Sequence, residues 1–400
     1  YLGKYGVYMS TGNQILFLNG SDLSDKNSGK PTTVLRVAGG TSSGDSDGTF
    51  SASSASFNTA SRMKYDSSSN TLFVASDASG LIRILDLSSQ NVYTVSNSNN
   101  NRIVFSSPSQ LNSGGRYPGM DIDKSGSYLY VTDRRNIYNL TRVSGSSNIY
   151  TYVRRQYTAL NSFMTANSWP TTCYIFGIVT VESQQVIYAT VSLSINVLLK
   201  IPMGAGRSSD IVVVAGDQTQ VYGGVGSYPT PYLRDGFGTS ALLDFPSSVS
   251  YDPVSNALYF TECYTEFDSI IDGWYEGSLT VRKYDINSGY VSKYVGYDFS
   301  QNRDSNGFYV TSGGYQEGWG GVAKFSYPLT ISYGFSKLGG PVLYIADYFN
   351  NAIRTVYTAI GAVPAITTNK PTSKPTSFPV PVTARPTTPS IAPSFIPSKS

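Results

Sequence analysis

The sequence predicts an all-β chain in which residues 1–361 form a six-bladed β-propeller and residues 362–400 form an extended tail of polyproline II type. Three observations lead to this prediction. Tyr and Gly, with 32 and 38 copies, suit half-buried strands and turns. A two-strand unit recurs six times before the tail. In the tail Pro, Ser and Thr dominate, and proline cannot join the interior of a sheet.

The recurring unit is an apolar strand that ends near an acidic residue, a polar turn and a second strand with an aromatic residue. The second copy shows it best, with residues 63–66, a turn and residues 71–75. The aromatic residue occupies the same position in all six copies. These residues are Phe17, Phe73, Tyr130, Tyr188, Tyr259 and Tyr344.

Third and fourth strands follow in most copies, and four short antiparallel strands per repeat are typical of a propeller blade. Fourth strands that end in small residues are predicted at residues 37–40, 212–216 and 294–296. The third strand of copy one is not identifiable, and copy six offers only residues 358–363 as an outer strand.

A basic residue recurs on the predicted third strand of five copies. We interpret these side chains as structural, with the stem lying between blades and the charge placed on a carboxylate or an aromatic ring. The alternative is a basic surface for a ligand. The residues are Arg83, Arg142, Lys200, Arg282 and Arg354.

These repeats resemble the NHL-repeat family of six-bladed propellers over about residues 1–360. The resemblance is carried by Asp66, Asp133, Asp252, Asp347, the segment 351–354 and the inter-repeat segments 38–57 and 215–245. It implies a ring of six blades. Some NHL-like propellers are lyases or hydrolases with metal ligands in the central channel, but their His ligands have no counterpart in a chain without His.

Composition excludes several classes of function. Without His, the chain has neither a His-ligated zinc nor a Ser-His-Asp or Cys-His centre. We therefore expect no enzymatic activity and no cofactor. A net charge of +3, with 14% charged residues, gives no reason to expect nucleic acid or an anionic membrane as a partner. No apolar stretch approaches the roughly 18 residues that cross a bilayer.

Four acidic residues are candidates for a carboxylate-only metal site, namely Asp45, Asp47, Asp121 and Asp123. The favoured alternative is that these Asp side chains are structural. Repeated Asp residues open tight turns by hydrogen bonding to their own backbone.

The two cysteines, Cys173 and Cys263, are placed by the geometry of the blades. The first precedes the first strand of blade four, and the second follows the second strand of blade five. Both are therefore expected on one face of the ring, in adjacent blades. We predict a disulfide between them, which would close a loop of about 90 residues and contribute roughly 4 kcal/mol. The alternative is two buried thiols.

Two triplets fit the acceptor pattern for N-glycosylation, at Asn19 and Asn139. Asn19 follows a second strand and is expected on the same face as the cysteines. Asn139 enters a third strand, where its side chain has the alternative of pointing between blades.

The tail resembles the proline-rich glycomodules of secreted algal, plant and heterokont surface proteins, in which Thr, Ser and hydroxylated proline carry sugars. A linker to a further domain is the alternative. The predicted positions for O-linked sugars or hydroxyproline are Thr372, Ser373, Thr376, Ser377, Thr387, Thr388, Ser390, Ser394, Ser398, Pro371, Pro375, Pro389, Pro393 and Pro397.

Low charge, abundant Tyr and Ser, and the absence of His favour a structural role. The leading hypothesis is a secreted, glycosylated propeller that polymerises with itself into an extracellular fibril or surface coat, with the tail on the next subunit. The chain begins at Tyr1, which suits a mature chain whose secretion signal has been removed. The alternative is a module that binds protein or glycan through Tyr-rich loops at residues 222–232 and 264–275, with the tail as a stalk.

Overall fold

Six antiparallel sheets follow one another along the chain in the computed structural model, and together they form the six-bladed propeller that the sequence predicts. The structure describes residues 6–19, 34–51, 53–105, 119–123, 125–143, 150–204, 206–219, 233–268, 273–297, 314–318, 320–335, 340–358 and 366–368. For residues 19, 264–268, 273–278 and 366–368 it describes the backbone alone.

The first three blades differ in their number of strands. Blade one has three strands, β1 (Gly6–Ser10), β2 (Ile15–Asn19) and β3 (Val34–Ala38). Blade two has five, β4 (Gly48–Thr49), β5 (Ala60–Asp66), β6 (Thr71–Ser76), β7 (Leu81–Asp86) and β8 (Asn91–Thr94), and β4 lies outermost. Blade three has four, β9 (Met120–Ile122), β10 (Tyr128–Asp133), β11 (Asn136–Arg142) and β12 (Tyr152–Gln156).

The last three blades have four or five strands each. Blade four contains β13 (Tyr174–Val181), β14 (Val186–Ser192), β15 (Val197–Pro202) and β16 (Val212–Ala215). Blade five contains β17 (Gly236–Phe237), β18 (Pro246–Asp252), β19 (Ala257–Asp268), β20 (Gly273–Asp285) and β21 (Tyr290–Val295), and β17 lies outermost. Blade six contains β22 (Pro328–Phe335), β23 (Pro341–Asp347), β24 (Ala352–Tyr357) and β25 (Ile366–Thr368).

The apolar core is divided among the interfaces between successive blades. Five clusters of buried side chains join blades one to two, two to three, three to four, four to five, and five to six. The recurring aromatic residue contributes to each of them, as Phe17, Phe73, Tyr130, Tyr188 and Tyr259. Within the described residues, no such cluster joins blade six to blade one.

A short helix, α1 (Thr158–Ala166), lies between blades three and four and was not predicted from the sequence. Its buried side chains Leu160 and Met164 belong to the cluster that joins those two blades. No helix in the described part of the chain is long and apolar enough to cross a membrane.

Two predictions about strand order were wrong. Residues 37–40 were expected to end a fourth strand of blade one, but β3 pairs directly with β2 and is the third strand. The outer strand of blade six is β25 rather than residues 358–363. Since β25 lies beyond residue 361, the compact unit extends to Lys370, and residues 371–400 form a separate unit.

Three of the recurring basic side chains are fully buried, and their guanidinium groups bind carboxylate and carbonyl oxygens. Arg83 on β7 donates to the carboxylate of Asp47 at 2.9 Å. It also donates to the backbone carbonyls of Ser46 and Ser56 at 2.8 and 2.7 Å. Both carbonyls belong to the segment that leads from β3 of blade one to the inner strand β5 of blade two, so this arginine fastens that segment to blade two.

Arg282 and Arg354 repeat the arrangement in blades five and six. Arg282 binds Asp235 at 2.9 Å and Glu262 at 3.2 Å, and Arg354 binds Asp347 at 2.8 Å. Each also donates to two backbone carbonyls of the preceding inter-blade segment. The structural interpretation of the recurring basic residue is confirmed for Arg83, Arg282 and Arg354. We call these three residues the arginine clamps.

The other two recurring basic residues do not form clamps. In the pairing of the second and third strands, each clamp arginine lies opposite the residue that follows the recurring aromatic. Arg83, for example, pairs with Val74, which follows Phe73. Lys200 instead lies opposite the aromatic Tyr188, one position away, and Arg142 lies at the exposed end of β11. A shift of one residue turns a side chain to the opposite face of the sheet.

Replacing a clamp while keeping its volume is expected to be strongly destabilising. Arg282→Met leaves the fully buried Glu262 without its cation, and the free energy of unfolding should fall by about 3–5 kcal/mol. The same change at the exposed Arg155 on β12, Arg155→Met, should cost less than about 1 kcal/mol. Urea unfolding of both variants measures the difference, and equal losses would contradict the clamp.

Candidate functional site

The central channel is the first place to look for chemistry in a propeller, and here a side chain crosses it. The first strands of the blades pack against one another around this channel. Arg62 on β5 of blade two donates from Nη2 to Ser247 Oγ on β18 of blade five at 3.3 Å. Because blades two and five face each other across a ring of six, this contact spans the channel.

The candidate metal ligand Asp121 joins three blades around the channel. Its carboxylate lies 2.7 Å from Lys64 Nζ of blade two. It also accepts hydrogen bonds from the backbone N–H and the hydroxyl of Thr180 in blade four, at 2.6 and 2.9 Å. With these partners, Asp121 holds neighbouring inner strands together.

The remaining candidate metal ligands also have structural contacts. Asp45 and Asp47 lie 3.7 and 2.9 Å from the guanidinium of Arg83. Asp123 accepts the backbone N–H of Tyr128 at 2.7 Å within its turn. Among the residues that the structure describes, no group of three or more acidic or Cys side chains is placed to hold a metal ion.

Asp77 is the most perturbed carboxyl group near the channel. It follows β6, is almost fully buried, and accepts a hydrogen bond from the Ser61 hydroxyl at 2.7 Å. Burial raises the pKa of Asp77 to about 8, although the Ser61 hydrogen bond and the charge of Arg62 act in the opposite direction. The group therefore changes its charge near neutral pH inside the folded ring.

A cavity of about 120 Å³ lies between blades two and three. Its polar lining includes Asp66, Asp86, Arg142, Tyr150 and Tyr152. Tyr150 donates to Asp86 at 2.9 Å, and burial together with this hydrogen bond raises the pKa of Tyr150. The carboxylate of Asp66 accepts the backbone N–H and hydroxyl of its own turn. The cavity suits a few water molecules or one small polar molecule, and its carboxylates already bind protein groups.

The predicted disulfide between Cys173 and Cys263 is not formed in the structure. Cys173 packs within the apolar cluster between blades three and four. Cys263 lies on β19 opposite Leu279, in the sheet of blade five. Both thiols are buried, one in the interface between blades three and four and the other in blade five. Burial raises the pKa of Cys173 to about 11, so its reactive thiolate is disfavoured.

The two N-glycosylation candidates occupy different positions in their blades. Asn19 is the last residue of β2, and its side chain lies outside the described residues. Asn139 lies within β11, between β10 and β12. Its amide oxygen accepts the Thr141 hydroxyl at 3.1 Å, and its side chain also hydrogen bonds to Tyr157. Asn139 is therefore directed between blades, the alternative weighed for it from the sequence.

The sites predicted on the tail, from Pro371 to Ser398, all lie outside the described residues. The loop at 222–232 also lies outside them. Of the loop at 264–275, only parts of the backbone are described, as the ends of β19 and β20.

The outer edge of blade one is a surface that sequence reasoning missed. Val34 and Leu35 on β3 are 45% and 43% exposed, and they point to opposite faces of the sheet. No further strand pairs with β3 among the described residues, whereas each of the other five blades has at least four strands. Two adjacent apolar residues in an outer strand were the available signal, but the strand had been placed fourth instead of third.

A second missed surface is a cluster of three aromatic rings on blade six. Tyr348 and Phe349 follow β23 and are 54% and 49% exposed. Their rings lie 5.3 Å apart, and the ring of Tyr327 lies 5.1 Å from that of Phe349. Exposed neighbouring rings of this kind suit stacking on a partner, and the Tyr-Phe pair directly after a predicted strand was the signal in the sequence.

Comparison with known proteins gives no family for this chain. No protein-family model matches the chain, and no curated protein matches its sequence. Among solved structures, the chain is similar to one in a nidogen/laminin complex, with 14% identity, a TM-score of 0.48 and coverage of 92% of this chain and 93% of that one. It is also similar to virginiamycin B lyase from Staphylococcus aureus, with 12% identity, a TM-score of 0.43 and coverage of 93% and 82%.

A third similar structure is a protein of unknown function from Bacteroides thetaiotaomicron, with 15% identity, a TM-score of 0.40 and coverage of 90% and 83%. The number of blades rests on the strand pairing of this chain, and membership of the NHL family stays a prediction.

Asp77 predicts a pH dependence of stability. The folded chain holds its proton up to pH of about 8, whereas an unfolded Asp releases it near pH 4. Because the folded state binds the proton more tightly, the contribution of Asp77 to stability falls as pH rises from about 4 to about 8. Urea unfolding across this range should show a weaker decline for Asp77→Asn. The exposed Asp210→Asn is the control and should keep the wild-type slope; an unchanged slope in Asp77→Asn would disprove the assignment.

The cysteine geometry predicts two reduced thiols. In denaturant without reductant, iodoacetamide should add two groups to the purified chain, and in the native state both should react slowly because they are buried. Intact-mass spectrometry counts the additions. No addition before reduction and two after it would restore the disulfide.

Proposed function

We propose that this propeller is a secreted, glycosylated structural subunit that assembles with copies of itself into an extracellular fibril or surface coat. The open edge of blade one is the observation that carries the proposal. An exposed sheet edge presents unpaired backbone N–H and C=O groups, which form a template for a strand from another chain. On β3 this edge also exposes Val34 and Leu35.

The way in which other blades end supports this choice of surface. The outer strand β12 of blade three carries Arg154 and Arg155, charges of the kind that discourage pairing at an edge. The outermost strands β4 and β17 contain two residues each, which is too short to pair with a partner at length. The strand β3 is longer than β4 and β17, and it carries one charged residue, the exposed Arg36, where β12 carries two.

The distribution of charge also supports assembly. Only 14% of residues are charged, and the arginine clamps place three of these charges in the interior. A net charge of +3 over 400 residues offers little repulsion between copies. Neither nucleic acid nor a membrane is part of the proposal, and no catalytic role is assigned.

An edge on one blade that meets a different part of the next copy makes a heterologous contact. Such contacts continue into a filament when the rotation between copies does not close a ring. Sugars on Asn19 and on the tail would hydrate a surface with little charge. Asn139 is the poorer acceptor, because its side chain is directed between blades and hydrogen bonds to Tyr157.

A second candidate function is a binding module, and the aromatic cluster of blade six favours it. Tyr348 and Phe349 provide exposed rings that suit a sugar or a protein partner. In that case the chain stays monomeric, and Tyr348→Ala should abolish binding in a glycan array.

The deciding experiment is sedimentation velocity and electron microscopy of the secreted full chain over a range of concentrations. Wild type should form linear assemblies, and Leu35→Lys should weaken them at least tenfold by placing a charge on the open edge. Val153→Lys is the matched control, since Val153 is 45% exposed on the already charged strand β12. Monodisperse particles at every concentration would rule out the structural role.

A further inference from the structure

The tail contains a segment with the properties of a fourth strand for blade one, which has three strands among the described residues. Resting on the proposed self-assembly, we propose that residues 378–384 of one copy pair with β3 of the next copy as the fourth strand of its blade one. The segment reads Phe-Pro-Val-Pro-Val-Thr-Ala, and it begins ten residues after the end of β25.

The spacing of the prolines decides which edge of this segment can pair. In an extended strand, the N–H groups of successive residues point to alternate edges. From residue 371 to 385 all four prolines have odd numbers, at Pro371, Pro375, Pro379 and Pro381. All the backbone donors missing from this stretch therefore belong to one edge. The other edge keeps its donors at residues 378, 380, 382 and 384, which makes it competent to pair with β3.

The same alternation of odd and even residues divides the side chains between the two faces of the strand. Phe378, Val380, Val382 and Ala384 all project from one face, and the prolines and Thr383 project from the other. A strand added beside β3 therefore presents an apolar face that continues the exposed apolar surface of Val34 or Leu35. The proline edge of the added strand faces outward and has no N–H donors at its prolines. One strand can therefore pair with β3, and pairing of a further strand with the proline edge is disfavoured.

The predicted sugar positions agree with this assignment. The candidate positions nearest the segment are Ser377 before it and Thr387 after it. None falls within residues 378–384, so glycans on the tail would flank the paired strand without blocking it.

A donor at the C-terminal end of the chain and an acceptor in its first blade give the contact a direction. Each copy offers one acceptor edge and one donor strand, which is the heterologous arrangement that the proposed filament needs. The occupant of the edge is therefore a second copy of this chain, and the mode of recognition is β-augmentation.

Two adjacent proline substitutions in the full chain test the parity. Val382→Pro removes a donor from the pairing edge, and Thr383→Pro places a proline on the outward edge, where no donor is used. Val382→Pro should raise the dissociation constant for self-association at least about tenfold. Thr383→Pro should change it less than about twofold. Sedimentation equilibrium of both variants and wild type measures these constants.

Cross-linking identifies the copy that donates the strand. Chains with Leu35→Cys mixed with chains with Val382→Cys should form a disulfide-linked dimer, and a mixture of Val153→Cys with Val382→Cys should not. A chain with both Leu35→Cys and Val382→Cys that cross-links within the monomer would overturn the proposal, because its own tail would then occupy the edge.

The outcomes separate this inference from the proposed function. Wild-type assembly that is weakened equally by Val382→Pro and Thr383→Pro, or by neither, would overturn the strand pairing and leave the structural role in place. A wild-type chain that does not associate at any concentration would overturn both.

Discussion

Every blade of this propeller is a sheet with two apolar faces, and a sheet cannot cover its own faces. Each blade must therefore pack against the next, and five apolar clusters do this from blade one to blade six. The same constraint explains the polar contacts around the channel, such as Asp121 with Lys64 and Thr180, which join inner strands of neighbouring blades. The energy of the fold thus lies mainly between blades.

The arginine clamps solve the related problem of the segments that connect the blades. Such a segment exposes backbone carbonyls to an interior from which water is excluded, and an unpaired buried carbonyl is costly. Each clamp supplies a guanidinium that satisfies two of these carbonyls and at least one carboxylate, as Arg354 does with Lys324, Gln316 and Asp347. The positive charges of the arginine clamps, which the sequence also allowed as part of a surface for a ligand, therefore bind groups inside the protein.

Much of the fold could be predicted because the strand pairs are local and periodic. The recurring aromatic residues mark second strands that the structure confirms, including Phe73 on β6 and Tyr259 on β19. Register was harder, because it depends on the length of each connection. In blade two, Ser76 at the end of β6 pairs with Leu81 at the start of β7, and four residues lie between them. With this connection Arg83 lies opposite Val74, which is the clamp position. In blade four, five residues lie between Val191 and Val197, which pair in the same way. This longer connection shifts the register by one residue, so the side chain of Lys200 lies on the other face of the sheet.

The candidate site was less predictable, since it depends on which strands find a partner. Residues 37–40 were predicted to end a fourth strand, but β3 begins at Val34 and pairs with β2 through residues about twenty positions apart. The position of β25 beyond residue 361 depends on where the edge of β24 lies in space. The cysteines illustrate the same limit, because lying on one face of adjacent blades does not bring two thiols within bonding distance.

The central claim is that blade one is incomplete in the single chain and is completed by another copy. Hydrogen–deuterium exchange of residues 34–38, compared between the dilute monomer and the assembled protein, tests it most directly. The amides at the edge of β3 should exchange quickly in the monomer and become protected on assembly, while those of the interior strand β6 stay protected in both. Equal protection of residues 34–38 in the two states would contradict the claim.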